Sequence, residues 1–336
     1  MLLDTKTMDS LIFGAIRAEE KDGYRLYHRF TEDQVRRIES CRQPNAWQFV
    51  AFSSAGMRLD VTGEIRSLSF SYRLRSYTLQ CPGAFDVYEN GALRLHQRSM
   101  TVPGVEEAAF TYVPTKPGRI TVYFPNYAAL SLKDLEIEGS FAPAEEGAKL
   151  LTLGDSITQG AFPPMPGQSY VNIVGRNLNA NVLNQACSGF RHKLYPWDTI
   201  DFKPDVITVA YGTNDWTLGD DTDADSRAFY GQLKARFPGV PVFVMTPVYR
   251  DRAPVPPFAE NDRTRNALGR TLEDQRRILT ENASACGFTP VDGLKLMPHE
   301  LAYLQADRLH PLAGGHEAIG TAMTEILKNA LPALFA

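Results

Sequence analysis

The sequence lacks the features that mark membrane proteins and nucleic-acid-binding proteins. No apolar run approaches the ~20 residues that a helix needs to cross a bilayer. Its 35 basic and 39 acidic side chains give a formal net charge of -4, without the basic stripe or tail typical of nucleic-acid binding. The first residues lack the basic segment and apolar core of a signal peptide. We therefore expect no nucleic-acid and no membrane partner, and a cytoplasmic location unless a signal peptide was removed from a secreted protein.

Cysteine is also scarce, which limits both metal sites and disulfides. The four cysteines lie far apart in the sequence: Cys41, Cys81, Cys187 and Cys286. They show no metal-ligand spacing, so the sequence predicts no metal site. We interpret them as buried free thiols of a protein from a reducing compartment rather than as disulfide partners.

The length predicts two domains, since 336 residues exceed one typical domain. The first, residues 1–140, is predicted to be all-β. Residues 67–75 alternate strictly between apolar and polar side chains, the pattern of a strand with one buried face. Asn90-Gly91 predicts a tight hairpin, and only residues 32–40 look helical, with Thr31 as the N-cap. Short strands separated by regular turns are typical of a β-sandwich or jelly roll.

The purpose of this β-domain stays open in the sequence. It could be a carbohydrate-binding module, a wall of the substrate cleft or a spacer. Aromatic residues of the segment could line a sugar site, although aromatic side chains are more often core material. The candidates are Tyr24, Tyr27, Trp47, Tyr77 and Tyr127.

A linker is predicted at residues 141–147, which carry no periodic apolar pattern. The second domain, residues 148–336, then alternates strand-like apolar runs with helical patterns. This alternation predicts an α/β fold with a parallel sheet and helices on both faces. The predicted strands are residues 149–153, 181–185, 206–211, 240–246 and 289–291, and the predicted helices are residues 169–178, 226–236, 262–285 and 315–330. The acidic run 220–225 is interpreted as a solvated loop, since it lacks the central glycine and distal glutamate of a calcium loop.

A serine follows the first predicted strand of the second domain, where the apolar run ends. Because ligands bind outside the carboxyl ends of the strands in an open α/β sheet, Ser156 is a candidate nucleophile. A serine hydroxyl needs a base to remove its proton. His310 is the best candidate, because Asp307 stands close before it in the chain and could orient the imidazole. No other histidine has an acid at comparable spacing in a comparable context, and His316 is interpreted as structural.

An oxyanion site also has candidates at the same edge of the predicted sheet. Negative charge that develops on a carbonyl oxygen needs hydrogen-bond donors already in place. The backbone N–H groups of Ser156 and Gly189 and the side-chain amide of Asn214 could converge there, because each follows a predicted strand. The alternatives are that Gly189 only makes a turn and that Asn214 only caps a helix.

These residues resemble the four sequence blocks of the SGNH hydrolase superfamily, also called GDSL-type esterases. In order along the chain, the blocks are Gly154-Asp155-Ser156-Ile157, Gly189, Gly212-Thr213-Asn214-Asp215 and Asp307-Arg308-Leu309-His310. The resemblance implies a flavodoxin-like three-layer α/β/α fold and an esterase that uses no metal or cofactor. It also implies that Ser156, His310 and Asp307 form a catalytic triad, and that Ser156, Gly189 and Asn214 form the oxyanion hole.

The order of the two domains, with a β-domain before the hydrolase domain, resembles bacterial carbohydrate esterases that remove acetyl groups from sugars. We therefore expect hydrolysis of a short-chain ester of a carbohydrate or small molecule through an acyl-enzyme. Asp155 of the first block and Phe190 and Trp216, which follow the second and third blocks, are predicted substrate-binding residues, although the two aromatic side chains could equally be core or pocket wall. The alternatives are a lipase, lysophospholipase or thioesterase of the same superfamily and a non-catalytic carbohydrate-binding protein. The oligomeric state stays open.

Overall fold

The computed structural model describes residues 2–40, 50–76, 83–99, 107–145, 147–161, 165–251 and 265–335. Four residues discussed above lie outside these ranges: Cys41, Trp47, Tyr77 and Cys81. Within them, Cys187 is a buried free thiol and Cys286 a partly exposed one. No helix in the described ranges combines the length and hydropathy needed to span a bilayer.

The N-terminal part of the chain folds into an antiparallel sheet, to which nine strands of the described residues belong. They are β1 (Ile12–Phe13), β2 (Arg17–Lys21), β3 (Tyr24–His28), β4 (Arg58–Ser76), β5 (Ala84–Glu89), β6 (Ala92–Arg98), β7 (Ala108–Tyr112), β8 (Gly118–Tyr123) and β9 (Ala128–Pro143). Their order is β2-β3-β9-β4-β8-β5-β6, with β1 and β7 also paired to β4. Strand β4 is the centre of this sheet, because it pairs with β8 near its start, with β7 in its middle and with β9 along most of its length.

The predicted alternation in residues 67–75 is confirmed in β4. Leu68, Phe70 and Tyr72 are buried, whereas the residues between them are partly exposed. Phe70 stacks on Phe110 of β7 with 4.7 Å between the ring centroids. The buried face of β4 therefore supplies the aromatic core of this sheet.

The hairpin and the helix predicted for this part of the chain are confirmed, and the structure contains one further helix that the sequence does not predict. Strands β5 and β6 pair across Asn90 and Gly91, whose φ angles of 51° and 80° suit the turn that such a hairpin needs. Helix α2 (Glu32–Ser40) is present, and the Thr31 hydroxyl accepts a backbone N–H of its first turn. Helix α1 (Thr5–Ser10) was not predicted, because its mostly polar sequence buries a single side chain.

The prediction of a linker at residues 141–147 is wrong at its start. Strand β9 continues to Pro143, which pairs with Val61 of β4. The end of β9 is exposed or partly exposed on both faces, so it carries no apolar alternation in the sequence. The antiparallel sheet therefore ends close to the first strand of the next sheet, and the connection between them is short.

The second sheet is parallel and has five strands among the described residues. They are β10 (Lys149–Gly154), β11 (Asn181–Asn184), β12 (Val206–Ala210), β13 (Val242–Met245) and β14 (Thr289–Val291). Their order, β11-β10-β12-β13-β14, is the flavodoxin-like order 2-1-3-4-5. The predicted parallel sheet is therefore confirmed, with small shifts at the strand ends.

Helices cover both faces of the parallel sheet. They are α3 (Ser156–Gln159), α4 (Tyr170–Asn177), α5 (Thr213–Leu218), α6 (Thr222–Arg236), α7 (Leu272–Ala285) and α8 (Ala313–Ala330). Helices α4 and α8 pack on the face that buries Leu150, and α6 and α7 pack on the face that buries Leu151. Because neighbouring residues of a strand point to opposite faces, the domain has three layers, helices, sheet and helices.

The acidic run at residues 220–225 is not the predicted solvated loop. Helix α6 begins inside it at Thr222. Asp220 is buried and pairs with Arg191 at 2.8 Å. Acidic side chains are favourable in the first turn of a helix, because they face its partial positive charge. The run is therefore a helix start, which composition alone did not distinguish from a loop.

The helix predicted at residues 262–285 is shorter in the structure. Helix α7 starts at Leu272, after a capping box in which Thr271 and Asp274 bond each other's backbone N–H groups. Residues 262–264 lie outside the described ranges. The capping box is a sequence signal for a later helix start that the periodicity obscured.

One segment of the N-terminal part packs against the parallel sheet rather than against its own sheet. Phe30, Val35 and Ile38 share a buried cluster with Leu151 and Leu153 of β10. Helix α2 therefore belongs to the core beneath the parallel sheet, and the two sheets share buried surface.

Candidate active site

Ser156 begins α3 directly after β10, at the carboxyl edge of the parallel sheet. Asp155 is the N-cap of this helix, and its Oδ1 accepts the backbone N–H of Ile157 at 3.0 Å. Gly154 has no room for a side chain, since a Cβ there would lie 2.2 Å from Thr158 Oγ1. The strand therefore turns sharply into the helix, and Ser156 stays partly exposed at the edge of the sheet.

The structure brings Ser156, His310 and Asp307 into one chain of hydrogen bonds. The Ser156 Oγ lies 2.7 Å from His310 Nε2, and His310 Nδ1 lies 2.6 Å from Asp307 Oδ2. Because a carboxylate can only accept, we assign the ring hydrogen to Nδ1. His310 Nε2 then accepts the hydroxyl hydrogen of Ser156, which is the arrangement that removes a proton from a serine.

The turn before α8 sets the geometry of Asp307 and His310. Asp307 Oδ1 accepts the backbone N–H groups of Leu309 and His310 at 2.9 and 3.0 Å. Arg308 has a φ of 57°, in the left-handed region. Burial alone would raise the pKa of Asp307, but the hydrogen bond and charge of His310 and the two N–H groups hold that pKa below its ordinary value. Asp307 is therefore charged at neutral pH and holds the imidazole in one orientation.

The predicted oxyanion donors follow the strands on either side of β10. Gly189 comes after β11 and has a φ of 79°, a conformation that favours glycine. Asn214 lies in α5, directly after β12, and its Nδ2 donates to the Phe190 carbonyl at 3.2 Å. The N-cap of α5 is Gly212, so Asn214 is not a capping residue. Neighbouring parallel strands thus deliver both residues to the edge that carries Ser156.

The three predicted substrate-binding side chains are buried. Asp155, Phe190 and Trp216 are 4%, 1% and 4% exposed. Asp155 caps α3, Phe190 lies in the core, and Trp216 Nε1 donates to the Arg270 carbonyl at 2.8 Å. Neither ring therefore offers a face to a sugar in this geometry, and the alternative of core or pocket wall describes these aromatic residues better.

Asp155 is a buried acid beside the serine. Burial raises the pKa of its carboxyl to about 6, and the backbone N–H of Ile157 and the charge of His310 offset that rise only in part. A small cavity adjoins this carboxyl and is lined by Asp155, Ile157, Ala210, Tyr211, Thr213, Met245, Thr246, Pro247 and Val248. Burial therefore makes this carboxyl, next to the proposed nucleophile, easier to protonate than an ordinary aspartate.

A buried histidine–aspartate pair lies behind Asn214. Asp215 Oδ1 accepts the ring Nδ1–H of His192 at 2.9 Å and its backbone N–H at 3.2 Å. Aromatic rings surround the imidazole, those of Tyr211, Phe229 and Tyr230. The pair ties the first turn of α5 to the loop after β11. The wide separation of the two residues in the sequence gives no signal for this contact.

Arg29 comes from the N-terminal part of the chain, is fully buried and reaches the loop that follows β11. Its guanidinium donates to the backbone carbonyls of Val50, Ser53, Asn184 and Ala186. No carboxylate of the described residues pairs with it. Burial lowers the pKa of Arg29 to about 10, so it is a cation at neutral pH. This cation fixes the start of the loop that carries Gly189.

Gln159, the last residue of α3, holds the same loop from the other side. Its Oε1 accepts the backbone N–H of Ser188 at 2.8 Å, and its Nε2 donates to the Ser53 hydroxyl at 3.1 Å. The hydroxyls of Tyr127 and Ser188 are also hydrogen-bonded. The N-terminal part of the chain therefore reaches the residue next to Gly189, and no spacing in the sequence predicts these contacts.

The fold and the site together define a class of protein. A flavodoxin-like parallel sheet that presents hydrogen-bonded serine, histidine and aspartate at its carboxyl edge is the framework of an SGNH hydrolase, an enzyme that hydrolyses ester bonds. The model of the GDSL-like lipase/acylhydrolase family matches residues 152–318. This part of the chain, which contains Ser156 and His310, belongs to that family. In the described ranges, no group of three histidine, cysteine or acidic side chains is placed to hold a metal ion.

Solved structures show that the same fold occurs over nearly the whole chain. The chain is similar to the salicylyl-acyltransferase SsfX3 from a tetracycline biosynthetic pathway, with a TM-score of 0.78, 18% identity and coverage of 96% of this chain and 95% of that chain. It is similar to a family two carbohydrate esterase from Cellvibrio japonicus, with a TM-score of 0.62, 14% identity and 97% of both chains covered. It is also similar to the acetyl xylan esterase Est2A from the rumen bacterium Butyrivibrio proteoclasticus, with a TM-score of 0.57, 16% identity and coverage of 82% and 90%. No curated protein matches the chain by sequence.

Proposed function

We propose that the chain is a serine esterase that removes short acyl groups, acetyl above all, from a carbohydrate or small-molecule alcohol. The observation that carries this proposal is the unbroken hydrogen-bond chain from the Ser156 hydroxyl through His310 to Asp307. In this arrangement the imidazole takes the hydroxyl proton as Ser156 Oγ attacks the ester carbonyl. The carboxylate of Asp307 stabilises the imidazolium that forms.

Three donors are proposed to bind the oxyanion of the tetrahedral intermediate: the backbone N–H groups of Ser156 and Gly189 and the amide of Asn214. An amide nitrogen carries two hydrogens, and Asn214 donates one of them to the Phe190 carbonyl. That bond fixes the amide plane and leaves the second hydrogen for the oxyanion. Donors that are oriented before the reaction need no rearrangement when the negative charge develops.

The intermediate then collapses and the alcohol leaves with the proton held by His310. The acyl group stays on Ser156 as an acyl-enzyme. A water molecule that gives its proton to the same imidazole attacks this second ester, and the acid is released with Ser156 restored. The cycle consumes one water for each ester and needs only the residues named above.

The substrate class in the proposal draws support from the structures to which the chain is similar. One is named as a family two carbohydrate esterase and another as an acetyl xylan esterase. Both names describe esterases of carbohydrates, and the second names an acetyl group. An acetylated sugar is therefore the first substrate to test.

Transfer of the acyl group to another alcohol is a second candidate reaction. It is favoured by the similarity to a salicylyl-acyltransferase over 96% of this chain, with the highest TM-score of the three structures above. Hydrolysis and transfer share the acyl-enzyme and differ only in the group that attacks it. Product analysis with and without an added sugar alcohol distinguishes them.

We also propose that residues 1–140 form a β-sandwich of jelly-roll type and that residues 148–336 form the hydrolase domain. The pairing of both β7 and β8 with β4 supports a sheet that bends over on itself. The contacts of Arg29 with the loop after β11 support a wall of the active site rather than a detachable carbohydrate-binding module.

The test is a series of p-nitrophenyl esters from acetate to decanoate, together with acetylated sugars, given to the wild type and to Ser156→Ala. We expect acetate to be turned over fastest and the variant to be inactive. Faster turnover of decanoate would favour the lipase alternative, and turnover of acyl thioesters alone would favour a thioesterase. A folded wild type that hydrolyses none of them would favour a non-catalytic carbohydrate-binding protein.

A further inference from the structure

Arg250 lies on the loop that follows β13, at the same edge of the sheet as Ser156. The next residue, Asp251, ties this loop to the turn that carries Asp307. Its backbone N–H donates to the Arg308 carbonyl at 3.0 Å, and its Oδ2 accepts from Arg308 Nη1 at 2.9 Å. Arg250 is therefore held beside the acid and base of the proposed triad.

The guanidinium of Arg250 reaches the helix that carries Asn214. Its Nη1 donates to Thr217 Oγ1 at 3.2 Å, and its Cζ lies over the Trp216 ring, 5.4 Å from the ring centroid. Both contacts lie on α5. The half-buried cation thus contacts the helix with the proposed oxyanion donor, and the next residue, Asp251, contacts the turn with the proposed base.

The charge of Arg250 has no ion-pair partner among the described residues, unlike the charges of the buried arginines Arg58 and Arg191. Arg58 pairs with Asp60 at 2.9 Å and Arg191 pairs with Asp220 at 2.8 Å. Burial lowers the pKa of Arg250, and the charge of Asp307 opposes that effect without a hydrogen bond between the two groups. The cation is therefore partly desolvated, and no carboxylate of the described residues neutralises it.

Most hydrogen-bond donors of Arg250 also have no acceptor among the described residues. A guanidinium carries five N–H groups in a planar fork that fits a carboxylate with two parallel hydrogen bonds. Within the described ranges, one of these groups donates, to a hydroxyl. Arg29 is different, because backbone carbonyls take up its donors. An ordered fork with spare donors is suited to a ligand rather than to the fold.

We infer that Arg250 forms an anion subsite of the active site and that the natural ester carries a carboxylate on its alcohol part, close to the bond that is cleaved. This inference rests on the proposed function and specifies its substrate. An acetylated acidic sugar has both the ester and the carboxylate. Trp216 backs the guanidinium and keeps its plane fixed, so the charge selects the substrate without taking part in the bond exchange.

The test compares acetoxybenzoates, with the carboxylate in the meta or para position, with the matching neutral acetoxybenzamides. We measure kcat/KM for each pair with the wild type, Arg250→Gln and Arg250→Lys. The ratio of charged to neutral substrate is expected to fall by about 10- to 100-fold in Arg250→Gln, as for the loss of a hydrogen bond to a charged group. Comparing ratios between enzymes cancels the intrinsic reactivity of each ester. Arg250→Lys keeps the charge and is expected to keep part of the preference.

The control is Arg227→Gln on α6, since Arg227 is an exposed arginine paired with Asp223. It should keep the wild-type ratio. Equal ratios in the wild type and Arg250→Gln for all pairs would overturn the anion subsite, as would a variant that loses charged and neutral esters to the same degree. Failure of the proposed function looks different, because hydrolysis of the neutral esters would then be absent or would persist in Ser156→Ala.

Discussion

Each of the two sheets buries an aspartate, and the surroundings of the two carboxyl groups are opposite. Asp60 of β4 pairs with Arg58 at 2.9 Å and with Arg119 at 2.6 Å. Burial alone would raise the pKa of Asp60, but the two cations hold it below its ordinary value. Asp155 at the end of β10 has no ion pair within the described residues, and burial raises its pKa to about 6.

The difference shows how charge is distributed between the two parts of the molecule. In the antiparallel sheet, the carboxylate of Asp60 and its two arginines neutralise one another inside the fold. At the carboxyl edge of the parallel sheet, the buried Asp155 and the half-buried Arg250 have no such partners in the described ranges. Groups of this kind cost folding free energy and are typical of places where a ligand or a reacting group completes the arrangement.

The largest effect on activity is expected from Ser156→Ala, a change at the carboxyl edge of the parallel sheet. Loss of the nucleophile should lower kcat/KM for p-nitrophenyl acetate by at least about 10³-fold. The melting temperature should stay unchanged, because the side chain is partly exposed. The matched change in the antiparallel sheet, Ser67→Ala, should leave the rate unchanged. Wild-type turnover by a folded Ser156→Ala would remove this residue from the site.

The next effect is expected at Asn214. If its amide donates to the oxyanion, Asn214→Ala should lower kcat by about 10²- to 10³-fold with little change in KM, because the bond is strongest in the transition state. Steady-state kinetics and a thermal melt on one preparation test this expectation. A variant with a lowered melting temperature and full activity would instead indicate a structural role in holding the Phe190 carbonyl.

The pH dependence of the free energy of unfolding should differ between the contributions of Asp155 and Asp60. Asp155 has a folded-state pKa above its unfolded value, so its contribution is present at low pH and is lost as the pH rises through about 6. Asp60 has a lowered pKa, so its contribution is present at neutral pH and is lost as the pH falls through its folded-state pKa. The two groups therefore give stability curves of opposite slope in acid.

Asp155→Asn should remove only the loss of stability that the wild type shows as the pH rises through about 6. The amide oxygen can still accept the N–H of Ile157, so the helix cap is kept. Urea unfolding from pH 4 to pH 8 should show a variant that is more stable than the wild type at pH 7. The rise from 3.8 to about 6 corresponds to about 3 kcal/mol at most. Parallel curves for the two proteins would show that Asp155 does not titrate in this range.

The smallest effect on rate is expected where the two parts of the molecule meet, at Arg29. Arg29→Lys keeps the charge but cannot donate to all four carbonyls, so the loop of Gly189 should become less well positioned. We expect kcat to fall about tenfold with KM nearly unchanged, as for the loss of a transition-state contact. Arg66→Lys, a change at an exposed position of β4, is the matched control. An effect on melting temperature alone would show that Arg29 only holds the fold.

The sequence predicts the elements whose patterns are local. The alternation in residues 67–75, the turn at Asn90 and the apolar runs of the parallel sheet all reappear in the structure. The sequence does not predict the end of β9, because an exposed strand has no apolar pattern. It predicts α6 only from residue 226, because the acidic residues of the first turn occur in loops as well as at helix starts. Both differences lie where no apolar periodicity marks the element.

In the candidate site, too, short motifs identify some residues, whereas contacts between distant residues have no signal in the sequence. Ser156, His310 and Asp307 were named from short motifs, and the structure brings them within hydrogen-bond distance. The contacts that hold them from a distance, such as those of Arg29, join residues far apart in the chain and have no fixed spacing. The substrate contacts predicted for neighbouring aromatic residues stay a prediction, and only the packing shows that Phe190 lies in a buried cluster.

Arg29 also bears on how such a chain can change over generations. Its carbonyl partners lie on both sides of the junction between the sheets, Val50 and Ser53 before it, Asn184 and Ala186 after it. A recombination event at the junction would pair the cation with carbonyls that evolved beside a different neighbour. We therefore expect exchange of either part for that of another protein to destabilise the junction, although each part forms a sheet of its own.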